Sequence, residues 1–189
     1  MGNIIASPFL ISYFRPIICQ KFPMRKIMFL AVVFFIGVAV QAQNLPDTTA
    51  PYYRFPSVPP FKILEPDSVS VFTKDDLKKN KAVLVILFSP ECEHCKHETE
   101  EIIKKIDDFK KVQIVMATPM PFSKMKEFYV KYKLDQFNNI KVGQDFQFFL
   151  PSFFRAHSLP YLAMYNKDGG LLKTFEGTMK IEDLINAFK

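Results

Sequence analysis

Hydrophobic positions along this chain switch between a period near two and a period near four, and the switches mark its elements. Phe61 to Leu64 and Val69 to Phe72 predict short strands on either side of a Pro66-Asp67 turn. Thr73 then reads as the N-cap of a helical turn over Lys74 to Lys79. Ala82 to Phe88 (AVLVILF) is an unbroken, β-branched apolar run, the mark of a strand buried on both faces. A helix is expected from about Cys92 to Phe109, because Cys95, Thr99, Ile102, Ile103 and Ile106 recur at helical spacing. Val112 to Ala117 repeats the buried-strand pattern, and Phe122, Met125, Phe128, Tyr129 and Tyr132 mark a second amphipathic helix. Ile140 to Val142 predicts a short strand. Phe146 to Ala156 is aromatic and reads as partly helical, with Pro151 expected to interrupt it. Tyr161 to Tyr165 and Leu171 to Phe175 flank Asn166-Lys167-Asp168-Gly169-Gly170, a hairpin signal, and Ile181, Leu184, Ile185 and Phe188 form one face of a closing helix. Helices alternating with buried strands imply an α/β fold, a layered sheet joined by right-handed crossovers.

The first 42 residues follow a different pattern. Arg25 and Lys26 precede an uncharged apolar run from Ile27 to Val40, and Val40-Gln41-Ala42 places small residues at −3 and −1 of a cut after Ala42. That order is the one of a secretory signal peptide, with Met24 as the expected start and residues 1–23 as an upstream segment. The run is short for a spanning helix, although the reading as an uncleaved membrane anchor stays open. Residues 43–60 hold Pro46, Pro51, Pro56, Pro59 and Pro60 without a hydrophobic period, so an extended linker is expected before a domain over 61–189.

Composition sharpens this division. The 189 residues carry 25 Lys plus Arg against 19 Asp plus Glu, a net charge of +6 that hints at nucleic acid. Four of the basic residues and none of the acidic ones lie in residues 1–42, which leaves 21 basic against 19 acidic and removes the hint. A hydrophobic content of 49% excludes a disordered chain, and three cysteines are too few for a disulfide-stapled scaffold.

Candidate chemistry concentrates at Cys92-Glu93-His94-Cys95, where the central strand ends and its helix begins. The unpaired N–H groups of a helix N-terminus stabilise a thiolate, the form that attacks disulfides. Two intervening residues let the second sulfur close on the first, so the pair can cycle between dithiol and disulfide. A structural zinc site needs a second ligand pair, which is missing, and attachment of a c-type haem needs His where Lys96 stands. Glu91 and Glu93 disfavour the Cys92 thiolate, whereas a protonated His94 favours it, so Glu93 and His94 are candidate redox-tuning residues. His97 reads as a surface residue and His157 as lying away from the sulfurs, while Met116, Met120, Met125 and Met164 read as core.

From Pro60 onward the chain resembles the thioredoxin superfamily, and within it the exported TlpA/ResA-like branch. The resemblance is carried by PPFKIL and KAVLVILFSPECEHCKHE, by the insertion near 121–142, by Asp145 ahead of an aromatic helix and AHSLPYLAMY, and by NKDGGLLKTFEG. It implies a central mixed sheet flanked by helices, an N-terminal β-hairpin and a helix–strand insertion before a cis-proline. Cys92 is then the exposed nucleophile, Cys95 the resolving thiol, and Pro160 the cis-proline that presents the backbone of Leu159 to a substrate. Glu98 matches a glutamate supporting acid–base chemistry in ResA-type reductases, though on its own it reads equally as a solvated residue of the first helical turn. Gly177 matches a glycine that keeps space near the site, or else marks a plain helix-entry turn.

Two departures stand out. Ile86 occupies the position of the buried Asp of thioredoxins proper, and Glu91 that of the Trp before the first Cys. The expectation is an exported, periplasmic thiol–disulfide oxidoreductase that reduces protein disulfides and draws electrons from an upstream membrane or periplasmic donor. It implies no cofactor, no metal and no nucleic acid. An oxidase or isomerase of folding proteins and a Cu(I) metallochaperone of the same fold are the alternatives. Ser89 stands where a peroxiredoxin has Thr.

Overall fold

The computed structural model describes residues 49–189, so the export segment and the first residues of the linker lie outside the described residues. The elements are α1 (Pro51–Arg54), β1 (Lys62–Leu64), β2 (Val71–Thr73), β3 (Ala82–Leu87), α2 (Glu93–Lys104) and β4 (Val112–Thr118). They continue with α3 (Phe122–Lys131), β5 (Ile140–Gln144), α4 (Phe149–Phe154), β6 (Tyr161–Tyr165), β7 (Leu171–Glu176) and α5 (Ile181–Asn186). The seven strands form one sheet in the order β2-β1-β5-β4-β3-β6-β7.

The sheet is mixed. β3 pairs in parallel with β4, and β4 in parallel with β5, while β6 and β7 run antiparallel beside β3. β1 and β2 form the expected hairpin and join β5 through Leu64 and Gln144. Successive side chains on a strand point to opposite faces, and β3 is apolar at every step, so it feeds two cores. Leu84, Ile86 and Phe88 join Cys95, Ile102, Met125 and Phe128 on one face. Val83, Val85 and Leu87 join Phe61, Leu150, Phe154 and Tyr161 on the other. Three of the four methionines read as core, Met116, Met125 and Met164, are buried, whereas Met120 is only half-buried.

The sequence reading departs from the structure in four places, each with a local cause. The turn after Thr73 is a single 3-10 turn over Lys74–Asp76, and its Thr73–Asp76 capping box closes before Leu77 returns to extended backbone. Helix α2 ends at Lys104, and a 3-10 turn over Ile106–Phe109 lets Phe109 re-enter the core. Pro151 does not interrupt α4, because it occupies the third helical position, where its missing N–H has no helical partner to lose. The two N–H groups before it, those of Phe149 and Leu150, donate to the buried Asp145 carboxylate at 3.1 and 2.7 Å.

The fourth difference is in the Pro-rich lead-in. Its described part carries the short helix α1, and Tyr52 packs against Phe154 at 6.0 Å between ring centroids. Val58 is buried and donates its N–H to Gly169, while Leu171 donates to Pro56, so residues 56–58 lie against the start of β7. β7 itself is half-exposed and carries a register shift against β6 between Met164 and Tyr165.

Candidate active site

The site forms where the first turn of α2 meets the loop entering β6. Cys92 is the N-cap of α2, in extended conformation, with its N–H bonded to Ser89. Its sulfur accepts the N–H of Cys95 at 3.4 Å, which satisfies one of the orphan donors of the helix end. The Cys92 thiol in turn donates to the carbonyl oxygen of Leu159 at 3.6 Å. Leu159–Pro160 is a cis peptide bond, so the residue matched to the cis-proline does carry that geometry, and the carbonyl just before it faces the first sulfur.

The two thiols live in different surroundings. Cys92 is half-buried, whereas Cys95 is 1% exposed, one helical turn inside, and shares its core with Ile86 and Leu162. Burial, and then the hydrogen bond with Cys92, push the Cys95 thiol well above its ordinary range. Both cysteines are free thiols, so the dithiol form is the one described.

Glu98 is not a solvated helix residue. It lies three positions after Cys95, on the same face of α2, and is 1% exposed. Its Oε2 accepts the N–H of Met179 at 3.0 Å, while its buried Oε1 has no hydrogen-bond partner. Burial raises its carboxyl from the usual 4.5 to about 7, against the lowering effect of the Met179 N–H; the charge of Glu101 adds a smaller push upward. Thioredoxins proper bring a carboxyl to this region from the central strand; here the strand supplies buried Ile86 and the helix supplies Glu98.

The other candidate residues are placed as follows. Glu93 is exposed and ion-paired with Lys96 at 2.7 Å, and Glu91 with Lys124 at 3.4 Å. His94 and His97 are exposed, and His94 bonds to neither sulfur. His157 is exposed on the loop before Pro160, where its N–H and the Ser158 hydroxyl donate to the Glu176 carboxylate at 3.3 and 3.1 Å. Gly177 donates its N–H to the Pro160 carbonyl at 2.8 Å with φ of 93°, and nothing stands within 4 Å of where a Cβ would sit. The left-handed backbone, not the space, demands glycine there. Glu176 and its two bonds had no signal in the sequence. Among the described residues no group of three or more His, Cys, Asp or Glu side chains is arranged to hold a metal ion, and no helix is long and apolar enough to cross a membrane.

Comparison with known proteins agrees with this fold. The thioredoxin-like domain family matches residues 73–189. A putative thioredoxin from Neisseria meningitidis superposes with a TM-score of 0.56 at 23% identity, over 68% of this chain and 84% of that one. A secreted disulfide oxidoreductase of Mycobacterium tuberculosis, homologous to DsbE of E. coli, gives 0.57 at 18% identity, over 67% and 92%. StoA from Bacillus subtilis gives 0.53 at 18% identity, over 70% and 98%. At these identities the likeness is one of fold. Comparison with curated proteins gave no match by sequence.

The Glu98 carboxyl makes stability depend on pH with a definite sign. Its folded value, about 7, lies above the usual 4.5, so the native state holds a proton that the unfolded chain has lost. This contribution is complete below the unfolded value, falls as the pH rises from 4.5 towards 7, and is flat beyond; it amounts to at most about 3 kcal/mol. Glu98→Gln should remove that slope. Urea midpoints at about pH 5 and about pH 8 check it: the wild-type midpoint drops relative to that of the variant.

Proposed function

We propose that this chain, which belongs to the thioredoxin-like domain family, is a thiol–disulfide oxidoreductase that reduces protein disulfides outside the cytoplasm. The observation that carries the reading is the pairing of a half-buried N-cap thiol, facing the Leu159 carbonyl at 3.6 Å, with a buried thiol one turn inside.

The chemistry balances without a cofactor. The Cys92 thiolate attacks one sulfur of a substrate disulfide; a Cys92–substrate bond forms, the substrate S–S bond breaks, and the first substrate sulfur leaves as a thiolate that takes up a proton. Cys95 then loses its proton and attacks the Cys92 sulfur, releasing the second substrate thiol. Two electrons have passed to the substrate, and the chain is left with a Cys92–Cys95 disulfide. A donor dithiol must reverse these steps before the next turnover.

Cys95 is the thiol that most needs help, because burial holds it protonated. Glu98, one turn along the same helix and raised to about 7, is the carboxyl suited to accept that proton. The reducing direction rests on the resemblance of the stretch around Cys92-Glu93-His94-Cys95, with Glu98 three residues on, to ResA-type reductases.

Export rests on the Arg25-Lys26 head, the Ile27 to Val40 run and Val40-Gln41-Ala42. Disulfide-bonded proteins are abundant in that compartment, which suits the substrate class.

Three outcomes are expected. Cys92→Ser abolishes reduction of insulin, while Cys95→Ser retains substrates as mixed disulfides visible on non-reducing gels; full insulin reduction by the first variant would sink the mechanism. Equilibration with glutathione places the couple near the thioredoxin value of about −270 mV, and a value near −120 mV would reverse the assigned direction. Mass spectrometry of the secreted protein finds Gln43 as its first residue, whereas a retained apolar run would mean an anchor.

A further inference from the structure

We propose that the turn between β5 and α4, which carries Phe146 and Phe148, docks apolar side chains of an extended polypeptide whose disulfide is presented to Cys92. The proposal rests on the exchange reaction above and names its substrate class.

Topology brings the turn to the reactive end. β3, β4 and β5 are parallel, so the loops leaving them share one end of the sheet, and antiparallel β6 enters from that same end through Leu159–Pro160. Three bonds tie these loops together. Phe88 N–H donates to the Ala117 carbonyl at 3.1 Å, Asp145 N–H to the Thr118 carbonyl at 2.8 Å, and the Gln144 side-chain amide to the Met120 carbonyl at 3.1 Å. β5 lies two strands from β3, about 10 Å away, a distance that about three residues of extended polypeptide cover.

The two rings are exposed where nothing in the fold requires it. Phe146 is 49% and Phe148 58% exposed. Phe148 moreover holds φ of 54°, in the left-handed region where a bulky side chain is costly and glycine or asparagine is ordinary. A residue chosen for folding alone would be neither aromatic nor apolar there. The turn is nonetheless firmly built: Phe148 N–H donates to the Asp145 carbonyl at 3.1 Å, the Ser152 hydroxyl to the Phe148 carbonyl at 3.0 Å, and the buried Asp145 carboxylate receives the next two N–H groups. Rings on a fixed turn lose little freedom on binding, which favours affinity.

The loops leaving β3 and β4 add apolar residues, beside the exposed Glu91–Lys124 ion pair. Pro90, Pro119 and Met120 are half-buried, Pro121 is exposed, and Leu159 is half-buried beside the sulfur. Proline and methionine offer contact without a fixed hydrogen-bond pattern, and methionine adapts to varied shapes. Such apolar residues suit an unfolded or partly unfolded chain with aromatic or aliphatic residues about three positions from its cystine.

The test uses the full chain, with insulin as the polypeptide substrate and hydroxyethyl disulfide as a substrate too small to reach the turn. In Phe146→Ser/Phe148→Gly, KM for insulin should rise roughly tenfold with kcat little changed, while reduction of hydroxyethyl disulfide stays at the wild-type rate. Phe148→Gly alone should keep or raise the thermal midpoint, because glycine relieves the left-handed strain. Leu172→Ser, an exposed apolar residue near the start of β7 at the other end of the sheet, should change neither rate. Equal loss on both substrates, a lowered midpoint in Phe148→Gly, or an unchanged insulin KM overturns the docking surface. So does a wild-type dimer, seen by light scattering, that the double variant abolishes. A wild-type protein that reduces neither substrate overturns the exchange reaction itself, and the docking with it.

Discussion

A carboxyl buried beside a buried thiol is the constraint around which the reactive end is arranged. Glu98 sits on the inner face of α2 with one oxygen on the Met179 N–H and the other unpartnered. An ionised carboxylate in that position is costly, and a neutral one is only moderately so. The chain therefore needs α2, α5 and the segment before α5 in close register to keep the group dry and half-satisfied. That same segment binds the Pro160 carbonyl through Gly177 and the His157–Ser158 backbone and hydroxyl through Glu176. The carboxyl beneath Cys95 and the loop whose carbonyl faces Cys92 are thus held by four consecutive residues, 176–179.

Much of this was legible from residue pattern, for identifiable reasons. The AVLVILF run had no polar face and so had to be central, and β3 feeds both cores. The cysteine pair at the junction of that strand with a helix located the thiols, and the family resemblance pointed to Pro160. Glu98 was harder. Its spacing from Cys95 and Ile102 put it on the inward face, but its charge argued for solvent, and only the packed environment settles between the two. Pro151 misled because a proline in the first helical turn costs nothing, and the left-handed backbone of Phe148 had no signal, since an aromatic there is invisible to any propensity. The contacts of the lead-in were hidden because prolines carry no periodicity, even when, as at Val58 and Pro59, the segment is buried.

The proposed chemistry and the proposed recognition fall on separate strands of one sheet. The thiols follow β3 and the backbone that faces them precedes β6, whereas the proposed aromatic turn follows β5, beyond β4. Substitutions in the turn leave the packing around Cys95 and Glu98 untouched, so substrate preference and electron transfer are free to change independently.

The outer strands of the sheet acquire a meaning in this light. The proposed handling of unfolded chains brings the hazard of strand addition, in which a guest pairs with a bare sheet edge and aggregates there. Edge strand β2 is only three residues long, and β7 combines exposed Lys173, a register shift against β6 and the lead-in lying across its start. Short, charged, bent or covered edges make poor templates. The guest is left with side-chain contacts at the reactive end, where its disulfide can be exchanged and the chain released.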